Sequence, residues 1–193
     1  MTQVIATTDR LRLREWGESD EGRFYAVMND PAVMRWLGGV QTPEQWHAVV
    51  ERLLGYQREL GFTFWIVERL EDDALLGWCG LKRINYPGAP NAGEMEVGWR
   101  YREDAWGQGI AKEAAIAALD LAFGRFASPS VVAVTFRENE GSWGLMERLG
   151  MTYEPALDFV DPRYANYGPT KQWRIEAADW PAARAAALAP RAG

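Results

Sequence analysis

A chain of 193 residues, 48% hydrophobic and 25% charged, has the size and composition of one globular domain with a sizeable core, which excludes a disordered chain. Its 21 basic and 27 acidic residues leave a net charge of −6, with no basic footprint for wrapping nucleic acid. No apolar run approaches the roughly 20 residues of a membrane span, and a lone cysteine, Cys79, with a lone histidine, His47, argues against disulfides and against a Cys- or His-built metal site.

Residues 8–16 alternate, with Leu11 and Leu13 to one side and Arg10, Arg12 and Arg14 to the other, as a half-buried strand does. Ser19 and Asp20 offer an N-cap to a short helix ending near Asn29. Asp30 then caps and Pro31 starts a further turn that reaches Gly38 and Gly39. Thr42, Pro43 and Gln45 have the form of a capping box and open a helix that runs to Gly61. Its apolar face is Trp46, Val49, Val50, Leu53 and Tyr56, and His47 sits beside that face at the surface.

From Gly61 the period shortens. Residues 62–69 and 75–83 flank the acidic turn 71–73 and read as a hairpin. Residues 85–93 form a Pro/Gly loop, and 94–101 a third strand in which Met95, Val97 and Trp99 alternate with Glu94, Glu96 and Gly98. A helix follows from about 110 to 126, its polar residues before Arg125 being Lys112, Glu113 and Asp120, confined to one narrow sector, so it is mostly enclosed. Residues 131–136 are continuously apolar, the mark of a strand covered on both faces. A helix from about 140 to 149 stops at Gly150, and strand candidates 151–159 and 170–175 flank the loop 160–169. The fold class is α+β (α/β three-layer): a mixed, mostly antiparallel sheet flanked by helices. The helix 110–126 is a crossover, which makes strands 94–101 and 131–136 parallel. One domain spans residues 1–180, and 181–193 is an Ala/Pro-rich tail expected to fray. The N-terminal segment lacks the apolar core of a signal peptide, so a cytoplasmic protein is expected.

The chemistry concentrates where strand 94–101 runs through a short loop into the helix at 110. Gly107 and Gly109 at that junction let several backbone N–H groups converge, and the helix N-terminus adds its positive end. This is an anion site, most naturally for a pyrophosphate; the plainer alternative is a tight turn that needs glycine for positive φ. No Gly-Lys-Ser/Thr follows, and Lys112 replaces the third glycine of a dinucleotide fingerprint, so neither nucleotide motif is present.

Residues Glu96-Val97-Gly98-Trp99-Arg100-Tyr101 and Trp106-Gly107-Gln108-Gly109-Ile110-Ala111-Lys112-Glu113-Ala114 resemble motif A of the GNAT N-acetyltransferases, in the wording of the RimJ/RimL-type branch. TDRLRLREW near the start, DPAVMRWLGG after the first helix, and Asn139 through Ser142 to Gly150 and Met151 agree at the proper separations. The resemblance covers about residues 7–176 and implies the GNAT acyl-CoA N-acyltransferase fold, with acetyl-CoA as co-substrate and no metal. Trp99, Arg100 and Tyr101 would then offer backbone groups to the pantetheine arm, which adds itself like a strand. Trp106, Gly107, Gln108, Gly109, Ile110 and Ala111 would hold the pyrophosphate, and Asn139 would lie on the other side of the thioester. Glu96 becomes the first choice for the base that takes the amine proton, with Glu94 second; Ser142 becomes the donor of a proton to the sulfur, with Tyr153 as substitute. The partner is an amine acceptor, a peptide N-terminus or a small molecule, bound by a monomer or homodimer without nucleic acid or membrane.

Asp104 departs from the motif, standing where Gln or Arg is usual; it is expected to point to solvent, with Arg100 supplying compensating charge. Plainer readings stand beside each role. Glu94 and Glu96 could be solvent-facing strand residues, Asn139 an N-cap, Ser142 an ordinary first-turn residue, and Cys79 a small buried apolar residue. The rival function is a non-catalytic acyl-CoA-binding or sensing module, which needs the glycines but not Glu96 and Ser142.

Overall fold

The computed structural model describes residues 2–189. The chain gathers into two compact units: the first runs from the N-terminus to Lys82 and from Gly98 to Ala118, the second takes Arg83–Val97 and the chain from Leu119 onward.

In the first unit the strand order is β1 (Val4–Thr7), β2 (Leu11–Arg14), β3 (Phe64–Arg69), β4 (Leu75–Arg83) and the latter part of β5 (Met95–Tyr101). β1 to β4 are antiparallel neighbours. The strand expected over 8–16 is thus a hairpin of two. No glycine or proline marks its turn. The Thr8 hydroxyl does that work by accepting the Leu11 N–H at 3.1 Å. Leu11 and Leu13 are buried as the alternation requires, but Arg14 on the opposite face is also buried, its guanidinium forked onto Asp20 and bonded to Glu68.

Helix α1 (Asp20–Met28) begins without a side-chain bond from Ser19; Asp20 instead accepts the Gly17 N–H at 2.6 Å. Asp30 does cap α2 (Pro31–Met34) through the Ala32 N–H, and Thr42 with Gln45 forms a full capping box on α3 (Pro43–Leu60), which ends at left-handed Gly61. The apolar face of α3 delivers Trp46, Val50 and Leu53 into a core with Trp16, Phe24, Met28, Met34, Ile66 and Trp78. Its centre is aromatic: Phe24 lies 5.0 Å from Trp78 and 5.1 Å from Trp16 between ring centroids. His47 is exposed and faces Glu21 at 3.0 Å.

In the second unit the order is β5, β6 (Ser130–Thr135), β8 (Lys171–Glu176), β7 (Thr152–Tyr153). The start of β5 pairs with β6 in parallel, at Glu96 opposite Val132, as the crossover helix α4 (Ile110–Phe123) demands. β6 and β8 are antiparallel from Ser130 opposite Glu176 to Thr135 opposite Lys171. The expected strand 151–159 shrinks to the two residues of β7, because Pro155 opens a 3-10 turn there; pairing resumes only as a bridge between Phe159 and Thr170. The loop 160–169 holds a 3-10 helix, Pro162–Tyr167, capped by Asp161.

Helix α5 (Glu140–Arg148) ends ahead of Gly150, whose φ of +80° and close approach to Ala183 exclude a side chain. The expected frayed tail is corrected over most of its length. Helix α6 (Trp180–Leu188) docks because Asp120 accepts from the Trp180 indole at 2.9 Å and from Arg184 at 2.8 Å, while Phe123 packs on the Trp180 ring. Residues 190–193 of that tail lie outside the described residues. Among the described residues no helix is long and apolar enough to cross a membrane.

Candidate active site

The loop after β5 is built by local bonds. Arg102 grips Asp104 with two nitrogens, at 2.5 and 2.8 Å, and a 3-10 turn, Glu103–Ala105, follows from that position. The Trp106 indole donates to the Tyr101 carbonyl at 2.9 Å, and the Gln108 amide donates to the Asp104 carbonyl at 2.6 Å. Gly107 and Gly109 have φ of +73° and +77°, the left-handed conformation that other residues resist. Glycine is therefore required here for backbone shape. The Glu113 N–H already bonds to the Gly109 carbonyl, so α4 starts at this point, and the N–H groups of its first turn have no carbonyl within the helix to meet. A glycine-shaped loop that opens onto such donors fits a diphosphate.

Two expectations about charge change. Asp104 is exposed as expected, but its carboxylate is answered by Arg102. Arg100 does not provide a counter-charge by its side chain: the guanidinium lies 4.3 Å over the Trp78 ring and 5.9 Å from that of Trp46, with Nη1 3.3 Å from the Met34 sulfur. It is turned into the aromatic core, because β5 alternation points residue 100 to the face that α3 covers.

The cation beside the loop is Arg10, which sequence reasoning missed. Its Nη1 donates to the Gln108 carbonyl at 3.0 Å, and its Nε and backbone N–H donate to Glu113 at 2.7 and 2.9 Å. Thr8 adds its hydroxyl to the same carboxylate. Burial pushes the Glu113 carboxyl up, but the bonds from Thr8 and Arg10 together hold it below its ordinary value. An acid in the first turn of α4 is thereby neutralised where an anion would dock. The signal was present in sequence only as a polar sector on an otherwise apolar helix.

The carboxylates at the start of β5 differ in their company. Glu94 accepts from the Ser130 hydroxyl at 2.6 Å and from Asn91 at 2.8 Å, and stands 3.2 Å from Arg174. Asn91 in turn exchanges amide bonds with fully buried Gln172. So Glu94 is held as part of a structural network. Glu96 is not the solvent-facing residue of the plainer reading: it is 3% exposed, and its Oε1 accepts the Tyr86 hydroxyl at 2.8 Å. Tyr86, from the Pro/Gly loop, stacks on Phe159.

Ser142 lies half-buried in the first turn of α5, its N–H bonded to the Asn139 carbonyl at 3.0 Å; the Asn139 side chain makes no capping bond. Tyr153 donates its hydroxyl to Asp158 at 2.7 Å. Tyr164 and Tyr167 pack on Phe136, at 6.3 and 5.1 Å between centroids. Cys79 is fully buried against Tyr101 with its thiol pushed up to about 12 by burial, as a structural cysteine is. No group of three or more His, Cys, Asp or Glu side chains among the described residues could hold a metal ion.

Residues 10–152 match the acetyltransferase (GNAT) domain. The Bacillus subtilis protein YkkB, uncharacterized, is 30% identical over 78% of this chain and 86% of its own. An uncharacterized N-acetyltransferase of the same organism, YnaD, is 30% identical over 90% of this chain and 98% of its own. Among solved structures, an acetyltransferase from Agrobacterium tumefaciens superposes with a TM-score of 0.75 at 26% identity, over 91% of this chain and 94% of that one. With a family match over most of its length and the fold that goes with it, the chain belongs to the GNAT acetyltransferase family.

Proposed function

We propose that this acetyltransferase moves the acetyl group of acetyl-CoA onto a primary amine, of a protein N-terminus or a small molecule, by direct attack within a ternary complex. Acetyl-CoA, the donor of this family, brings the acyl group already activated as a thioester. The protein must then take a proton from the amine, polarise the carbonyl and return a proton to the departing sulfur.

The observation that carries this reading is Glu96: a carboxylate 3% exposed, with a fixed hydroxyl donor, three residues ahead of Trp99 on β5. Burying a carboxylate is costly. In this reading Glu96 accepts the amine proton, directly or through water, and a backbone N–H of residues 97–99 polarises the carbonyl. Ser142 returns a proton to the sulfur, and Asn139 flanks the thioester. Backbone groups of Trp99, Arg100 and Tyr101 meet the pantetheine arm. The backbone of Trp106 to Ala111 takes the diphosphate. The motif wording places the chain in the RimJ/RimL-type branch, and the net charge of −6 favours cationic acceptors.

The test is thiol release from acetyl-CoA against a panel of amines: N-terminal peptides, polyamines, amino acids and aminoglycosides. At least one amine should stimulate release, and Glu96→Gln and Ser142→Ala should each slow it about 10²–10⁴-fold with little change in CoA affinity. Binding of acetyl-CoA with no release for any amine would instead favour the sensing module.

A further inference from the structure

The Pro/Gly loop before β5 is closed by two backbone bonds, Ile84 N–H to the Glu94 carbonyl at 2.9 Å and Gly93 N–H to the Ile84 carbonyl at 2.8 Å. This closure folds Tyr86 back onto the first residues of β5. Its ring stacks on Phe159, 5.7 Å between centroids and 29° between planes, which braces it. From that fixed ring the hydroxyl reaches Glu96 Oε1 at 2.8 Å.

A glutamate has three side-chain torsions, and a base must present one oxygen in one direction. A donor carried on a rigid ring supplies what the flexible side chain lacks. We propose that Tyr86 is a positioning residue for acetyl transfer, its hydroxyl fixing the Glu96 carboxylate in one orientation. The proposal rests on the reading of Glu96 as the base.

The groups that face Tyr86 support a permanent donor. Burial pushes the phenol well above its ordinary value, and the charge and hydrogen bond of Glu96 push it further in the same direction. Tyr164 adds to that push, and Arg163 opposes it. Arg163 is itself tied to Asp161, a carboxylate 2% exposed, by three guanidinium bonds and its backbone N–H. The hydroxyl therefore keeps its proton through the neutral range, and the bond to Glu96 runs in one direction only. Tyr164, Arg163 and Phe159 belong to the segment 155–170, so this segment also sets where the donor stands.

Tyr86→Phe keeps the ring on Phe159 and removes the hydroxyl alone. Two readouts apply to the full-length protein. The first is the carbon-13 resonance of the Glu96 carboxyl at neutral pH, assigned by its loss in Glu96→Gln, which requires no turnover. The second is kcat and KM for the acceptor, with KM for acetyl-CoA measured alongside. Loss of the hydroxyl should move and broaden the Glu96 resonance, and a misplaced base should lower kcat about 10- to 100-fold with KM for acetyl-CoA unchanged. Phe159→Leu, which loosens the ring but keeps the hydroxyl, should change both in the same direction by less. An unmoved Glu96 resonance or an unchanged kcat in Tyr86→Phe overturns the proposal. Full activity of Glu96→Gln overturns the base reading instead, and the carboxyl resonance still reports on Tyr86.

Discussion

Glu113 ties the β1–β2 hairpin to the start of α4, and its removal has a calculable effect. In Glu113→Ala three hydrogen bonds to one carboxylate disappear, from the Thr8 hydroxyl, the Arg10 backbone N–H and the Arg10 Nε. Each bond to a charged acceptor is worth about 1.5–3 kcal/mol when sheltered. The Glu113 side chain is 18% exposed and that of Arg10 49%, so solvent screens the pair and the bonds are not additive. A total of about 2–4 kcal/mol is expected, which lowers Tm by roughly 5–12 °C for a chain of this size. The same change frees Arg10, whose hold on the Gln108 carbonyl shapes the glycine loop, so acetyl-CoA affinity should fall as well.

The pH dependence has a definite sign. The Glu113 carboxyl is held below its ordinary value in the folded protein, so the stability it contributes is fully present above the unfolded value, about 4.3. It is lost as pH falls through the lower folded value. Thermal melts followed by circular dichroism should therefore show the full difference from the unaltered protein at pH 7 and a shrinking one below about pH 4. A variant within about 1 °C of the unaltered Tm at pH 7, with unchanged acetyl-CoA affinity, would refute the clamp.

Cys79, buried and with its thiol pushed up to about 12, should resist an aromatic disulfide reagent in the folded protein and react promptly in denaturant; rapid labelling of the native state would contradict the packing around Tyr101. Tyr164→Ala with Tyr167→Ala should raise KM for the amine acceptor and leave that for acetyl-CoA alone, since both rings lie on Phe136 in the 160–169 segment that also reaches Tyr86. Equal changes in both constants, or none, would remove those rings from the acceptor's path.

Where a signal was local, sequence carried it through to the structure. The α3 capping box, the β3–β4 hairpin about its acidic turn, the crossover α4 and the glycine loop each depend on residues within a few positions of one another. Some failures came where a partner lies far along the chain. The Ala-rich tail reads as frayed because its helix is held by Asp120, some 60 residues away. The side chain of Arg100 reads as a spare cation because Trp46, which with Trp78 receives it, belongs to a distant helix. Strand alternation alone made Glu96 equivalent to Glu94. Only the folded loop separates them, bringing the Tyr86 hydroxyl to one and a network of Ser130, Asn91 and Arg174 to the other. The split of the first strand escaped notice because a threonine hydroxyl shapes its turn where glycine or proline would have announced it.

The central claim is that the backbone of residues 106–111 receives the acetyl-CoA diphosphate, and Gly109→Val with calorimetric titration tests it most directly. A Cβ at Gly109 would meet only the Arg10 guanidinium, at 3.4 Å, so the fold has room for it, but the φ of +77° disfavours a branched residue and must shift. Losing one or two backbone bonds to a charged phosphate should weaken acetyl-CoA binding about 10- to 100-fold or more while cooperative unfolding persists. Unchanged affinity in a cooperatively folded Gly109→Val protein would contradict the account and leave the loop as a turn.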